Sequence, residues 1–363
     1  MATNARMRGT GIAAVVGLAA VGWGAVSAPP AAARGYAQVS LVADTPGMAA
    51  HTDPHLLNAW GMTFDAAQQG PLTVADNHAG VVTAYDPIGQ TVGSPVAIPK
   101  AAVSDMASPT GLVFNGTADF HGDMFISVSE DGIIGGWRSG APAVAEVDNS
   151  GAGAIYKGVA LGRSSMGNLL YAANFHAGTV DVFDKDFHPA TLPGHFTDPK
   201  APAGFAPFGI HDIHGRVYVT FAMQDANRED DVKGDGHGFV DVFDTEGRLI
   251  RRFASGTAAG GKLTVLNSPW GMALAPKGFA RFSRVLLVGN FGSGQIAAFD
   301  RRGHLRGLIK DPAGNAITID GLWEILFGGG GSAGDPHKLY FTSGPDDENH
   351  GLFGSLEVAR GRR

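Results

Sequence analysis

Carboxylate, amide and imidazole side chains recur in this 363-residue chain immediately before or after short apolar runs. Such groups bind cations and polar small molecules, and carboxyl groups can also transfer protons. We therefore expect a ligand-binding surface built from two sets of residues. The set that precedes apolar runs, with neighbouring aromatic residues, is Asn58, Trp60, Lys157, Asn267, Trp270, Asp320 and Trp323; the set that follows them is Asp76, Asn77, Glu130, Asp131, Asn174, Asn290 and His350.

Several of these residues also suit a structural role. Asp and Asn in turns commonly accept hydrogen bonds from their own backbone. Asn174 and Asn290 share the context Asn-Phe-x-x-Gly, which favours a repeated structural turn. Trp residues at corresponding positions, such as Trp60 and Trp270, favour packing between repeats over contact with a ligand.

An acidic segment over residues 223–238 departs from the pattern of the rest of the chain. The spacing of its oxygen-bearing side chains resembles part of a calcium-binding loop, although the Gly and the distal Glu of such loops are out of place. A divalent cation such as calcium is therefore the cofactor that the sequence suggests, with a solvated acidic loop as the alternative. The candidate ligands are Asp225, Asn227, Glu229 and Asp231.

The elements that must position these residues follow from an internal repeat. One sequence motif occurs six times. Each copy has an aromatic or small turn, two apolar strands, a polar Gly turn, and a third strand that often ends in an aromatic residue and Asp. Copies spaced by about 50 to 60 residues suit four-stranded propeller blades. The repeat predicts an all-β fold, a six-bladed β-propeller over residues 36–358. The copies begin near Asn58, Ser108, Tyr156, Ala206, Asn267 and Asp320.

A lone predicted strand precedes the first copy, at residues 37–42. We expect it to pair with residues 352–358 and complete the last blade, because a closed ring leaves no open sheet edge there. In a propeller, the loops that lead into the first strands and the loops between second and third strands share one face. The polar residues should therefore meet at one channel mouth.

The first 33 residues have the pattern of a signal peptide: Arg6 and Arg8, an apolar run over 11–25, and small-residue cleavage sites after Ala28 and Ala33. This predicts an exported protein, secreted or periplasmic, with an uncleaved anchor as the alternative. No later apolar run is long enough to predict a membrane span. The formal charge of −7 without a basic patch argues against nucleic-acid partners. The segment 359–363, which contains three arginines, is predicted to be a frayed basic tail.

The motifs Asn267-Ser268-Pro269-Trp270-Gly271 and Gly238-Phe239-Val240-Asp241-Val242-Phe243-Asp244 carry a resemblance to exported bacterial propeller proteins of unassigned function. The likeness runs from about Leu41 to Leu356. It departs where Asn58-Ala59-Trp60-Gly61 replaces Asn-Pro-Trp-Gly, and at His55 and His78. The architecture is more distantly similar to NHL-repeat and gluconolactonase-type propellers. The resemblance to the latter implies a divalent cation at the channel mouth.

Three functions remain open at this stage. The leading hypothesis is an exported propeller that binds a small molecule or an extracellular partner at a polar channel mouth able to hold a cation. The first alternative is a metal-dependent hydrolase or lyase of the lactonase type, with Glu130 or Asp76 as the base. It requires three of Asp76, Glu130, Asn174, Asn290, Asp320 and His350 to converge on one point. The second alternative is a cell-surface scaffold for protein interactions.

Overall fold

The computed structural model describes residues 1–2, 35–140, 142–257, 261–262 and 264–359. Residues 3–33 of the predicted signal peptide, with both cleavage sites, and residues 360–363 of the predicted tail lie outside the described residues. Ala359 is described, and it donates its backbone N–H to the carbonyl of Gly35 at 2.9 Å.

Short apolar runs separated by Gly-rich turns form the strands of six sheets. Two strands precede the repeats: β1 (Tyr36–Ala43) and β2 (His51–Thr52). Blade one contains β3 (Ala59–Thr63), β4 (Leu72–Asp76), β5 (Val81–Tyr85) and β6 (Val96–Ala97). Blade two contains β7 (Pro109–Phe114), β8 (Phe125–Ser129), β9 (Ile133–Trp137) and β10 (Val144–Asp148).

The third and fourth sheets differ in strand number. Blade three has three strands: β11 (Tyr156–Ser164), β12 (Gly167–Asn174) and β13 (Thr179–Phe183). Blade four contains β14 (Phe205–Asp212), β15 (Val217–Met223), β16 (Gly238–Phe243) and β17 (Leu249–Ala254).

Blade five contains β18 (Pro269–Leu274), β19 (Leu286–Asn290), β20 (Gln295–Phe299) and β21 (Leu305–Leu308). Blade six contains β22 (Leu322–Phe327), β23 (Leu339–Ser343) and β24 (Leu352–Val358), together with β1 and β2. Short 3-10 turns in the described loops are Asn77–Ala79, Phe120–Gly122, Ser150–Ala152, Ala280–Phe282 and Gly331–Ala333.

The first strands of the blades form a closed ring. Strands β3, β7, β11, β14, β18 and β22 each contact the first strand of the next blade, and β22 contacts β3. Apolar side chains fill the spaces between blades; Tyr171 of blade three, for example, packs in one buried cluster with Ile210 and Val219 of blade four. The six-bladed propeller that the repeat predicts is confirmed.

Strand β1 closes the ring as predicted. It pairs antiparallel with β24, with Tyr36 opposite Val358 and Ala43 opposite Leu352. Tyr36 and Val42 are buried. A strand from the N-terminal side therefore completes the blade that the C-terminal side begins.

Glycines allow the first strands to approach closely around the channel. One position in the first strand, which we call the ring position, is a glycine in five blades and Glu324 in the sixth. The five glycines are Gly61, Gly111, Gly158, Gly209 and Gly271. A Cβ added to Gly209 would lie 2.2 Å from the Trp270 carbonyl oxygen. Side chains are thus excluded by the backbone of the next blade, and Glu324 is the exception.

Candidate functional site

A plug of aromatic residues closes the channel beneath the loop-bearing face. Trp60, Phe208, Trp270 and Trp323 each precede the ring position of their blade, and all four are buried. The Trp60 and Trp323 rings stack with centroids 3.5 Å apart. The tryptophans thus pack against one another between the blades, as the sequence favours.

Lys157 occupies the corresponding position in blade three and brings a buried positive charge to this plug. Its Nζ is ion-paired with Glu130 and lies 3.0 Å from Oδ1 of Asp230. The same atom lies 5.3 Å from the centre of the Trp60 ring. Burial alone would lower the pKa of Lys157, but the charges of Glu130 and Asp230 outweigh it and hold the pKa above its usual value. The lysine is therefore a fixed cation.

A chain of hydrogen bonds leads from Glu130 to blade six. Asn77 Nδ2 donates to Glu130 Oε2 at 2.9 Å, and Asn58 Nδ2 lies 3.3 Å from Asn77 Oδ1. Asn58 Nδ2 also donates to Glu348 Oε2 at 2.6 Å, and Trp323 Nε1 donates to Asn58 Oδ1 at 3.1 Å. The residues Lys157, Glu130, Asp230, Asn77, Asn58 and Glu348 form one connected group, which we call the mouth cluster.

Glu348 is a carboxyl group of the mouth cluster whose proton affinity is altered by its surroundings. Burial raises its pKa to about 7; the hydrogen bond from Asn58 opposes this rise and the charge of Glu130 adds to it. It is held on three consecutive non-glycine residues with positive φ: Asp346 at 58°, Asp347 at 49° and Glu348 at 67°. Such conformations are costly, and they concentrate at functional sites.

Three predicted site residues hold the loops around the mouth cluster. Asp320 Oδ2 accepts the N–H of Asp346 at 2.9 Å, which supports the turn that carries Glu348. His350 Nδ1 lies 2.8 Å from Asp44 Oδ2, and that hydrogen bond raises the pKa of His350. Asn267 Oδ1 accepts the N–H of Gly234 at 2.7 Å and so holds the acidic segment against blade five.

The remaining predicted residues are occupied within their own blades or turns. Asn174 donates to Asp181 Oδ2 at 2.9 Å. Asn290 Oδ1 accepts the N–H of Asn267 at 3.0 Å, and Asp131 Oδ2 accepts that of Ala101 at 2.6 Å. Both asparagines thus have the structural contacts that their shared sequence context favours.

Asp76 is buried inside blade one, where Thr83 Oγ1 donates to its Oδ2 at 2.7 Å. Burial raises the pKa of Asp76 well above its usual value. Asp320, His350, Asn174 and Asn290 also have hydrogen-bond partners of their own. Five of the six residues that the metal-enzyme alternative considers therefore bond to separate groups. Among the described residues, Asp76, Glu130, Asp320 and His350 form no group of three close enough to hold one ion.

The acidic segment contributes to the mouth cluster through Asp230 rather than through the four predicted calcium ligands. Asp225 Oδ1 accepts the backbone N–H of Glu229 at 2.9 Å, so it caps its own turn. Burial raises the pKa of Asp231. Within the described ranges, the triad of acidic or imidazole groups close enough for one ion is Asp184, Asp186 and His188, in a turn of blade three. In the part of the chain that the structure describes, Asp225, Glu229 and Asp231 do not form such a triad, and calcium binding by this segment stays a prediction.

Sequence reasoning missed Asp230 and Glu348. Both lie in acidic runs, Glu229-Asp230-Asp231 and Asp346-Asp347-Glu348. The position of these runs in loops on the ligand face was visible from the repeat. Which carboxyl of each run turns toward the channel was not, because adjacent loop residues have no fixed periodicity.

The chain resembles a known protein in amino-acid sequence. No family model matches the chain. An uncharacterised protein of Acanthamoeba polyphaga mimivirus is 30% identical over 341 residues, which cover 87% of this chain and 78% of that protein. This relative is viral, so the bacterial origin implied by the sequence resemblance is not shown.

Two solved structures share the fold at low sequence identity. A protein of unknown function from Bacteroides thetaiotaomicron has a TM-score of 0.56 at 10% identity and matches 90% of this chain and 76% of its own. Catalytically inactive virginiamycin B lyase from Staphylococcus aureus, solved with quinupristin, has a TM-score of 0.50 at 11% identity over 89% of this chain and 99% of its own. At such identities the likeness shows the fold alone. Within the described residues, no helix is long and apolar enough to cross a membrane.

Proposed function

This chain belongs to the same family as the uncharacterised mimivirus protein, and we propose that it is an exported propeller that binds a small cationic ligand at the mouth cluster. The observation that carries the proposal is the charge balance of that cluster. Glu130 and Asp230 contact the ammonium group of Lys157, and Glu348 joins them through Asn58 and Asn77. Within the mouth cluster, one ammonium against three carboxylates leaves two negative charges when Glu348 is ionised and one when it is protonated. Lys233 and Asp231 beside the cluster add one charge of each sign when Asp231 is ionised.

Accessibility and rigidity support binding at this place. Asp230 has 75% of its side chain exposed, so a ligand from solvent can reach it. The buried aromatic plug and the hydrogen bonds of Asn58 and Asn77 hold the other groups before a ligand arrives. Preorganised polar groups on a rigid scaffold reduce the ordering cost of binding.

The class of cation follows from Lys157. Its ammonium group already lies between Glu130 and Asp230, where its charge opposes the close approach of a divalent ion. Glu348 has no ion-pair partner among the described residues. A ligand with one ammonium group beside Glu348 fits this arrangement, and a bound divalent cation such as calcium is the competing possibility. Export rests on the signal-peptide pattern of residues 1–33.

Titrations with two probes, n-butylamine and calcium chloride, test the proposal. Binding is followed by calorimetry and by the fluorescence of the tryptophan plug. We expect butylamine to bind at least about fivefold more tightly at pH 8 than at pH 5.5, because ionised Glu348 adds a negative charge nearby. Glu348→Gln should abolish this pH dependence.

The matched control is Glu229→Gln, which removes an exposed carboxyl of the same acidic segment outside the mouth cluster. It should leave butylamine binding unchanged. Calcium binding that Glu229→Gln removes would support the calcium-loop hypothesis instead. Absence of saturable butylamine binding, or a pH dependence that is unchanged in Glu348→Gln, would overturn the proposal.

A hydrolase or lyase is the second candidate, favoured by one observation. Burial raises the pKa of Glu348 to about 7, and a second carboxyl group of the mouth cluster, Glu130, is ion-paired with Lys157. Two carboxyl groups with separated proton affinities can act as acid and base in one reaction. A panel of lactones and esters, assayed with and without added divalent cations, tests this candidate. Turnover should disappear in Glu348→Gln; turnover retained by that variant would exclude this acid–base role.

A further inference from the structure

The opposite mouth of the channel contains a cavity of about 390 Å³ with a different chemistry from the mouth cluster. Its wall comes from the second halves of all six first strands. Plug aromatics precede these segments in four of the six strands, and buried Thr110 and Lys157 take the same position in the other two. The plug therefore separates the cavity from the mouth cluster. We call this cavity the lower cup. Its apolar wall includes Met62, Val113, Leu161, Leu274, Met272 and Leu326.

Three titratable side chains lie in this wall: Glu324, His211 and Asp212. Asp212 Oδ1 already accepts the backbone N–H of Gly215 at 2.9 Å. Glu324 is buried, and it is the side chain that replaces glycine in the ring. Its Oε1 accepts the backbone N–H of Ile325 at 3.0 Å. His211 places Nε2 3.0 Å from the carbonyl oxygen of Trp270. Trp270 is followed by Gly271, where an added Cβ would lie 3.0 Å from the Cα of Glu324. His211 of blade four and Glu324 of blade six thus flank the same stretch of blade five.

Burial favours the uncharged forms of Glu324 and His211. Burial raises the pKa of Glu324 well above its usual value, and the hydrogen bond from Ile325 does not offset this. Burial lowers the pKa of His211 to about 4. A protonated carboxyl group can donate one hydrogen bond. Because His211 Nε2 must carry the hydrogen that it donates to Trp270, its Nδ1 is left as an acceptor.

Burying a carboxyl group is unfavourable unless its polar atoms find partners. A glycine would avoid this cost at the Glu324 position, as it does in five other blades. The cup thus offers a donor on Glu324 and an acceptor on His211 in a mostly apolar wall, whose other polar members are Thr63 and Asp212. A mostly apolar wall with a few polar groups is the usual composition of a small-molecule site. Met62 and Met272 make part of this wall adaptable in shape.

We propose that the lower cup is a second ligand site, which takes a small, neutral, largely apolar molecule carrying one hydroxyl group, with Glu324 as hydrogen-bond donor and His211 as acceptor. The site is independent of the cation proposed for the mouth cluster. The plug prevents direct contact between the two ligands.

N-Phenyl-1-naphthylamine, a neutral dye whose fluorescence rises in apolar surroundings, is the probe for the cup. We expect saturable binding of one dye per chain. Val113→Trp and Leu274→Trp place an indole in the cup and should each weaken binding by roughly tenfold or more. Two blocking variants are used in case one fails to fold, as judged by circular dichroism.

Val144→Trp is the matched control, because it adds the same indole to an exposed position on β10 outside the cup. It should leave dye affinity unchanged. Saturable binding that survives in a folded blocking variant, or no saturable binding to the unmodified protein, would overturn the proposal.

The hydrogen-bonding part is tested by displacing the dye with 1-naphthol and with 1-methylnaphthalene, which has a methyl group in place of the hydroxyl. We expect 1-naphthol to bind roughly threefold to tenfold more tightly. Glu324→Leu should reduce this ratio to below about twofold. Equal affinities in the unmodified protein, or an unchanged ratio in Glu324→Leu, would overturn the assigned roles.

Discussion

Replacement of Glu348 by Gln should make the protein more stable at high pH and leave it nearly unchanged at low pH. The amide oxygen of Gln can still accept the hydrogen bond from Asn58, so the geometry is kept while the charge is removed. The groups whose charges act on Glu348 are Glu130, Lys157 and Asp230. The variant therefore isolates the effect of one ionisation.

The sign of this effect follows from proton linkage. The folded pKa of Glu348, about 7, lies above the ordinary value of 4.5, so the folded state holds the proton more tightly than the unfolded chain does. The associated stability is fully present below about pH 4.5 and is lost as the pH rises through about 7. At about 1.4 kcal/mol per pKa unit, the loss is at most about 3 kcal/mol, and partial exposure of the side chain reduces it to about 1–3 kcal/mol.

Urea denaturation of both proteins between pH 4.5 and 8.5 measures the difference. We expect the free energies of unfolding to agree at the acid end and to diverge in favour of Glu348→Gln up to about pH 7. Glu357→Gln is the control, because Glu357 is a partly exposed carboxyl on β24 that pairs with Lys338. A difference that does not change with pH would refute the reasoning, because it would show that Glu348 does not change its charge in this range.

Two further predictions concern the closing strand and the buried lysine. A chain beginning at residue 44 lacks Tyr36, Leu41 and Val42, each buried in β1, at about 1.5–3 kcal/mol per side chain. This loss approaches the whole stability of an ordinary domain, about 5–15 kcal/mol. The melting temperature of the shortened chain should therefore fall far below that of a chain beginning at residue 34. Equal melting curves would contradict closure of the ring by β1. Lys157→Met leaves Glu130 and Asp230 without their counter-charge and should lower the free energy of unfolding by about 1–3 kcal/mol in urea denaturation, less than for a fully buried pair because both carboxylates reach solvent. The matched Lys185→Met, at an exposed pair with Asp186, should leave the denaturation midpoint almost unchanged; equal losses in the two variants would show that burial of Lys157 has no special energetic role.

The plug and the ring explain why some sequence predictions were easier than others. Trp60, Trp270 and Trp323 recur at one position of the repeat, and a recurring large apolar residue predicts packing whatever the exact geometry. Glu324 was not singled out, because a single acid after Trp323 has no local signature. Its meaning depends on the five glycines at the equivalent positions, and on the close approach of neighbouring blades that those glycines permit.

The mouth cluster was predicted only in part. Asn58, Asn77, Glu130 and Lys157 were expected at one channel mouth, and the structure connects them. His350 was expected there as a ligand but pairs with Asp44, whereas Glu348, two residues earlier, reaches Asn58. Three successive left-handed residues decide which of these side chains points to the channel, and nothing in their sequence requires that conformation.

The amino-acid sequence was enough to predict the architecture. Six copies of one motif indicate six similar blades, and the lone strand before them needs a partner strand at the end of the last blade. These patterns are local, because alternation of apolar residues and Gly-rich turns reflects only neighbouring positions. The site required the tertiary structure. Lys157 lies 27 residues from Glu130 and 73 from Asp230, and Asn58 lies 290 from Glu348. Ring closure brings them together. Burial in that place raises the pKa of Glu348, and the charges of Glu130 and Asp230 hold Lys157 charged against its own burial.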